Sequence, residues 1–187
     1  MIINYNNFSD SDVCVLKWQL SSKEVRVCSI IERCLHGFPR IIMLSPLKSD
    51  STEKQINYEA LSNVLWLTCP YLNEKIHNIE DRGYITKISG IVADYHALKE
   101  KMTVAHSHFY YLRKRLYRDF YKDLYPEKMI GLFNTGIGGV RDTSSLKCLH
   151  MHFSHYRINE NNIAGYITQQ VLSNTIDCRD KKCTHAE

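Results

Sequence analysis

The sequence predicts an α+β fold: a small antiparallel sheet of about three strands, packed with one long helix and several shorter helices. Two β-like runs, Val25 to Glu32 and Arg40 to Leu47, flank a turn punctuated by Gly37 and Pro39, and so read as an antiparallel hairpin. A third run, Asn63 to Thr68, stops at Cys69-Pro70. Proline is favoured at the first helical position, so this strand should pass straight into a helix. Beyond it, the apolar residues recur mostly at helical spacing.

Taken in order, Asp10, Ser11 and Asp12 form an N-cap cluster ahead of the apolar-periodic Val13 to Leu20, which predicts a short first helix. The hairpin follows, and the polar Lys48 to Gln55 reads as a loop. After the third strand, Leu72, Ile76 and Ile79 fall at i, i+4 and i+7, with Cys69 near the N-cap and Gly83 as the stop. One long helix is expected from Val92 to Leu124, with Tyr95, Leu98 and Met102 on one face and Pro126 beyond its end. Gly136-Ile137-Gly138-Gly139 marks a flexible or phosphate-sized loop, and Leu146 to Tyr156 and Ala164 to Leu172 read as further helices. The polar tail, residues 177–187, is expected to fray unless its cysteines are tied down. Without a repeat, low-complexity block or linker, residues 1–187 read as a single compact domain.

With 187 residues and 44% apolar content, the chain can bury one sizeable core. A charged fraction of 24% argues against wholesale disorder, and a net charge of +4 is too mild to argue for nucleic acid. Met1 to Asn7 lacks the basic and apolar regions of a signal peptide. The longest uncharged apolar run, Ile41 to Leu47, is far short of a membrane span and is interrupted by Ser45 and Pro46. A cytoplasmic protein with no membrane partner is expected. Seven cysteines, an odd count, fit a set of thiols better than a closed disulfide framework.

The densest chemistry lies in Lys147-Cys148-Leu149-His150-Met151-His152-Phe153-Ser154-His155. As a helix this segment would put Cys148, His152 and His155 on one face; as a strand, Cys148, His150 and His152. Either geometry presents a thiol with two imidazoles, a ligand set that suits zinc or another borderline metal. Satisfied core histidines are the plainer alternative. Cys34 in the hairpin turn and Cys69 at a helix N-terminus add dispersed thiols, and the helix dipole at Cys69 would favour a thiolate ligand or nucleophile. Cys178, Cys183 and His185 occupy the tail, while Cys14 and Cys28 are assigned to packing.

These residues also carry a resemblance. Arg33-Cys34-x-x-Gly37-x-Pro39, Leu65-Trp66-Leu67-Thr68-Cys69-Pro70, Gly138-Gly139 and Lys147-Cys148-Leu149-His150-x-His152-x-x-His155 resemble, in order, the motifs of a bacterial family of uncharacterised proteins, domain of unknown function 501. The resemblance implies that Cys34, Cys69, Cys148 and the histidines form one set, and it implies no activity. The sequence departs from the family pattern at His36 and in its cysteine-containing tail.

Two other features point to anions. Tyr110 to Arg118 interleaves aromatic and basic residues as a nucleic-acid-binding face would, although an ordinary solvated helix face is favoured. Gly138 and Gly139 with Arg141 could cradle a phosphate, and Arg33 and Arg26 could join them if the fold gathers the loops. The leading expectation is a metal-binding protein with Cys34, Cys69, Cys148, His150, His152 and His155 as the ligand pool and zinc favoured. Four protein ligands would make the site structural, and three with an open position would allow hydrolysis of a small-molecule substrate. An iron–sulfur cluster on the three family-pattern cysteines, and a nucleic-acid-binding module with a structural Cys/His site, are the alternatives. A thiol enzyme without metal remains a further reading.

Overall fold

The computed structural model describes residues 4–52, 55–121, 134–173 and 175–185. The first helix, α1 (Asp10–Gln19), is capped by Ser9 rather than by the cluster that follows it. The Asp12 amide donates to the Ser9 hydroxyl at 3.3 Å, and the Ser9 amide donates to the Asp12 carboxylate at 2.9 Å. This reciprocal capping box makes Asp12 an internal residue of the first turn.

Strands β1 (Val27–Arg33) and β2 (Pro39–Leu44) pair antiparallel across the expected turn, with Ile30 opposite Ile42. The polar stretch after them is not a loop. It contributes β3 (Leu47–Thr52), which pairs antiparallel with β4 (Gln55–Ala60) in a separate two-stranded sheet. Its Lys-Ser-Asp-Ser-Thr composition shows none of the apolar alternation that marks a strand, because backbone pairing alone defines it.

Strand β5 (Leu65–Leu67) completes the main sheet against the other edge of β2, giving the order β1-β2-β5. As the centre strand, β2 is buried along its whole length. Ile42 and Leu44 meet Leu16 of α1, whereas Ile41 and Met43 face the helices. That two-sided burial explains why its sequence is continuously apolar rather than alternating.

Cys69 occupies the N-cap of α2 (Pro70–Asp81), whose Leu72, Ile76 and Ile79 are buried as the spacing predicts. Gly83, with φ +74°, then turns the chain into α3 (Tyr84–Asp94). The single long helix expected from Val92 is instead broken at Tyr95, which is extended, and resumes as α4 (His96–Phe120). Ile88 and Val92 of α3 and Met102 of α4 enter the same apolar cluster. Leu124 and Pro126 lie outside the described residues.

Helix α5 (Leu149–Tyr156) begins three residues later than the sequence suggests, and α6 (Ile163–Leu172) packs against it. Residues 175–185 end in a short 3-10 turn and are docked, with Cys178 and Cys183 buried. Among the described residues, no helix is long and apolar enough to cross a membrane.

Candidate metal centre

The apolar stripe of α2 leaves Glu80, beside the buried Ile79, at the edge of the core where α5 begins. Cys148 is extended and forms the N-cap of α5, but its side chain makes no capping bond. Glu80 takes that role, its Oε1 accepting the Leu149 amide at 2.5 Å. A carboxylate at a helix N-terminus is favoured by the local dipole.

His150 then completes a group of three donors. Its Nε2 lies 3.1 Å from the Asn73 carbonyl oxygen, which can only accept, so Nε2 carries the proton. In the neutral ring Nδ1 is then the lone-pair nitrogen. It stands 3.5 Å from Cys148 Sγ and 3.3 Å from Glu80 Oε1, and ligand atoms of all three residues lie within 4.8 Å of one another. A carbonyl that fixes the tautomer of a histidine is the usual outer partner of a metal-ligating imidazole. Two acceptors this close repel unless a proton or a cation lies between them. Burial raises the Cys148 thiol, so the thiol proton can serve, and an incoming metal must displace it. Cys148 and His150 also line a cavity of about 590 Å³ with Leu65, Trp66, Asn73 and Gly138.

His152 and His155, expected to share a face with Cys148, belong elsewhere because α5 starts after Cys148 and turns both rings into the interior. Both are buried, and their partner is Asn162, the N-cap of α6. Asn162 Oδ1 accepts from the Gly165 amide at 3.0 Å and from His152 Nδ1 at 3.2 Å. Its amide nitrogen donates to His155 Nδ1 at 3.1 Å, which leaves His155 Nε2 to donate to His108 Nδ1 at 2.9 Å. On the other side, the His152 ring meets His106 edge-to-face at 5.9 Å, and His106 Nδ1 accepts the Ile137 amide at 3.0 Å. Burial holds all of these imidazoles neutral: His106 is lowered to about 4, His152 to about 3, and His155 well below the ordinary range. These are core histidines held by hydrogen bonds, although His106 Nε2 and His152 Nε2 are buried without a hydrogen-bond partner among the described residues.

Cys34 and Cys69 are not part of the Glu80–Cys148–His150 group. Cys69 is buried, and its thiol is pushed up to about 11 by burial despite lying at the start of α2. Desolvation outweighs the helix terminus there, so a free thiolate nucleophile at Cys69 is disfavoured. Cys28 is buried as expected, but Cys14 is exposed.

The anion-binding loops are not gathered. Arg33 is committed to Asp12, with contacts of 2.6 and 3.0 Å that help lower that carboxyl to about 2, whereas Arg141 is exposed. Gly138 and Gly139 both adopt positive φ in a 3-10 turn, and Gly138 lines the cavity beside Cys148. The Tyr110 to Arg118 face is also divided. Arg113 is buried and donates to the Ser62 carbonyl at 3.0 Å and to Thr135 Oγ1 at 3.1 Å. Leu112, Leu116 and Tyr117 are buried with it, which leaves a solvated face rather than a continuous basic one.

Glu80 and Asn73 were not legible as site residues, since each lies in an ordinary amphipathic helix and only the tertiary contact with α5 marks it. His106 and His108 fell within a long aromatic and basic block and carried no spacing of their own.

Residues 30–170 match the family described as Protein of unknown function (DUF501). No curated protein and no solved structure matches the chain. The matched span runs from β1 to α6 and takes in Cys34, Cys69, Glu80, Cys148 and His150, and over it the chain belongs to the DUF501 family of proteins of unknown function.

Proposed function

We propose that the chain is a metal-binding protein whose centre is formed by Glu80, Cys148 and His150, with zinc the favoured ion. The observation that carries this reading is the tautomer of His150. Its Nε2–H is held by the Asn73 carbonyl, so the free lone pair of Nδ1 faces a thiol and a carboxylate. Mixed sulfur, nitrogen and oxygen donors suit tetrahedral zinc, and three protein ligands leave one position for water or substrate. Cys148 and His150 line a cavity, so that position would face a space able to admit a small molecule. Water on such an ion is acidified, which supports hydrolytic chemistry as the activity to seek. An iron–sulfur cluster draws less support, because the near neighbours of Cys148 are a carboxylate and an imidazole rather than further thiols. Seven free thiols suit a reducing compartment such as the cytoplasm.

The test is elemental analysis of untagged protein, comparing the native chain with Cys148→Ser and with His150→Gln. Each substitution is expected to remove one zinc per chain while circular dichroism stays unchanged. Equal metal content in all three proteins would overturn the assignment. If zinc is confirmed, a panel of ester, amide and phosphoester substrates should show turnover that Glu80→Gln alters.

A further inference from the structure

Four of the remaining cysteines converge away from the centre just described. Cys34 sits in the β1–β2 turn, where its amide donates to the Phe38 carbonyl at 2.9 Å. Cys69 is the N-cap of α2, and Cys178 and Cys183 are carried by the C-terminal segment. That segment is held directly over the turn: the Leu35 amide donates to Asp177 Oδ1 at 3.0 Å, and the His36 ring donates to the Cys178 carbonyl at 2.8 Å. Asp177 also pairs with the buried Arg40, and Gln19 of α1 donates to Cys183 Sγ at 3.2 Å. Gln19 Nε2 also donates to the Pro39 carbonyl at 2.9 Å, which Thr68 Oγ1, beside Cys69, reaches at 3.2 Å, so Cys183 meets the end of the hairpin turn and the start of α2. Three of the four sulfurs are buried, and Cys34 is half-buried.

Burial raises the Cys69 and Cys183 thiols, and Cys69 belongs to the main apolar cluster, but polar groups that favour an anion also reach the set. The amides of Tyr71 and Leu72, at the start of α2, are directed at Cys69 and favour its anion. Arg40 acts on Cys69, and Arg33 acts on Cys34. Both guanidinium groups also pair with carboxylates, Arg33 with Asp12 and Arg40 with Glu32 and Asp177, so they offset only part of the charge of four thiolates. The spacing Cys178-x4-Cys183 lies close to that of zinc-binding thiol pairs. Ile176 packs against the main apolar cluster, but residues 177–185 beyond it contain no aliphatic or aromatic side chain apart from histidine.

We propose that Cys34, Cys69, Cys178 and Cys183 form a second metal site, a four-thiolate site for a soft divalent cation, zinc above all, which fastens the C-terminal segment to the hairpin and to α2. No three of the four sulfurs lie within 4.8 Å of one another, so the bound ion must draw them in. The 3-10 segment bearing Cys183 is the element that moves least expensively, since among the described residues side chains tie it to α1 and α2, Gln19 to Cys183 and Glu74 to Lys182. Binding deprotonates the thiols and releases their protons to solvent, with no change of oxidation state. With every protein position occupied by sulfur, this ion is structural, in contrast to the open centre at Cys148.

The experiment is zinc analysis together with zinc-edge X-ray absorption on untagged, anaerobically purified full-length chain. The native protein is expected to hold two zinc ions with sulfur as the dominant neighbour. Cys178→Ser with Cys183→Ser should lose one ion and most of the sulfur scattering. Cys148→Ser with His150→Gln should lose the other ion and keep that scattering. One zinc that only the tail variant loses would uphold the second site and overturn the centre at Cys148. One zinc that only the Cys148 variant loses would do the reverse. Because the tail variant can misfold, cobalt substitution of the native chain is the companion measurement. An intense sulfur-to-cobalt charge-transfer band, displaced by an organomercurial reagent as the tail becomes protease-sensitive, is expected. A metal-free native chain, or a Cys178–Cys183 disulfide in its mass spectrum, would overturn the proposal.

Discussion

Gly165 sets how closely α6 can approach α5, and replacing it with alanine tests the packing that supports the whole centre. A Cβ there would lie 2.2 Å from the His152 carbonyl oxygen and 2.4 Å from Tyr156 Cβ. Carbon atoms in contact sit about 3.5–4.0 Å apart, so the two helices must separate by about 1 Å. Neither obstacle can swing aside, because one is backbone and the other is the first atom of a side chain. Alanine gains at most about 1 kcal/mol over glycine in a helix. Overpacking of a closed core costs about 1–3 kcal/mol and belongs at the upper end here. A net loss of roughly 2 kcal/mol is expected for Gly165→Ala. The same movement would shift Asn162, which binds the Gly165 amide and two histidine rings, and would carry α5 with His150 away from Glu80. Urea unfolding followed by circular dichroism gives the stability, and zinc content on the same samples reports the centre. A variant with a midpoint equal to or above that of the native chain would refute the close approach of the two helices.

Gly136→Ala should also destabilise, because its Cβ would fall 2.3 Å from the buried His106 Nδ1 and evict the Ile137 amide from that nitrogen; thermal melts should show a clear loss, and an unchanged melting temperature would contradict the geometry. His106 is lowered to about 4 from its ordinary 6.5, so below pH 6.5 the unfolded chain takes up this proton first and stability falls until the folded-state value is reached. The slope is about 1.4 kcal/mol per pH unit, some 3 kcal/mol in all, and urea titrations at pH 7 and 4.5 should show a smaller loss for His106→Gln than for the native chain. Arg113→Ala should cost about 3 kcal/mol in urea, because it empties a buried position and strands the Ser62 and Thr135 acceptors, whereas the exposed Lys114→Ala should change stability by less than about 0.5 kcal/mol. Equal effects of the two would mean that Arg113 is not a core residue.

Elements whose apolar residues face a single core were legible. Leu72, Ile76 and Ile79 announced α2, the Gly37 and Pro39 turn announced the hairpin, and Cys69-Pro70 marked the junction of strand and helix. Elements defined by backbone pairing or by a change of direction were not. Strand β3 is polar after Leu47, so the alternation of its partner β4 stands alone, and the break at Tyr95 carries neither glycine nor proline. Local spacing also misjudged the histidines. Counting from Cys148 groups it with His152 and His155, but Cys148 is a cap with extended backbone, so the helical phase begins one residue later.

By itself the sequence determined the α+β class, the order of its main elements and the thiols and imidazoles available to a metal site. Those follow from periodicity, turn chemistry and residue type, which act over a few neighbouring positions. Only the tertiary structure decided the grouping: Glu80 and Asn73 with His150, His152 and His155 with Asn162, and the C-terminal segment with the hairpin turn. Each of the first and last groupings joins segments tens of residues apart in the chain, and side-chain chemistry at such separations is set by how helices and strands stack, which no local pattern encodes.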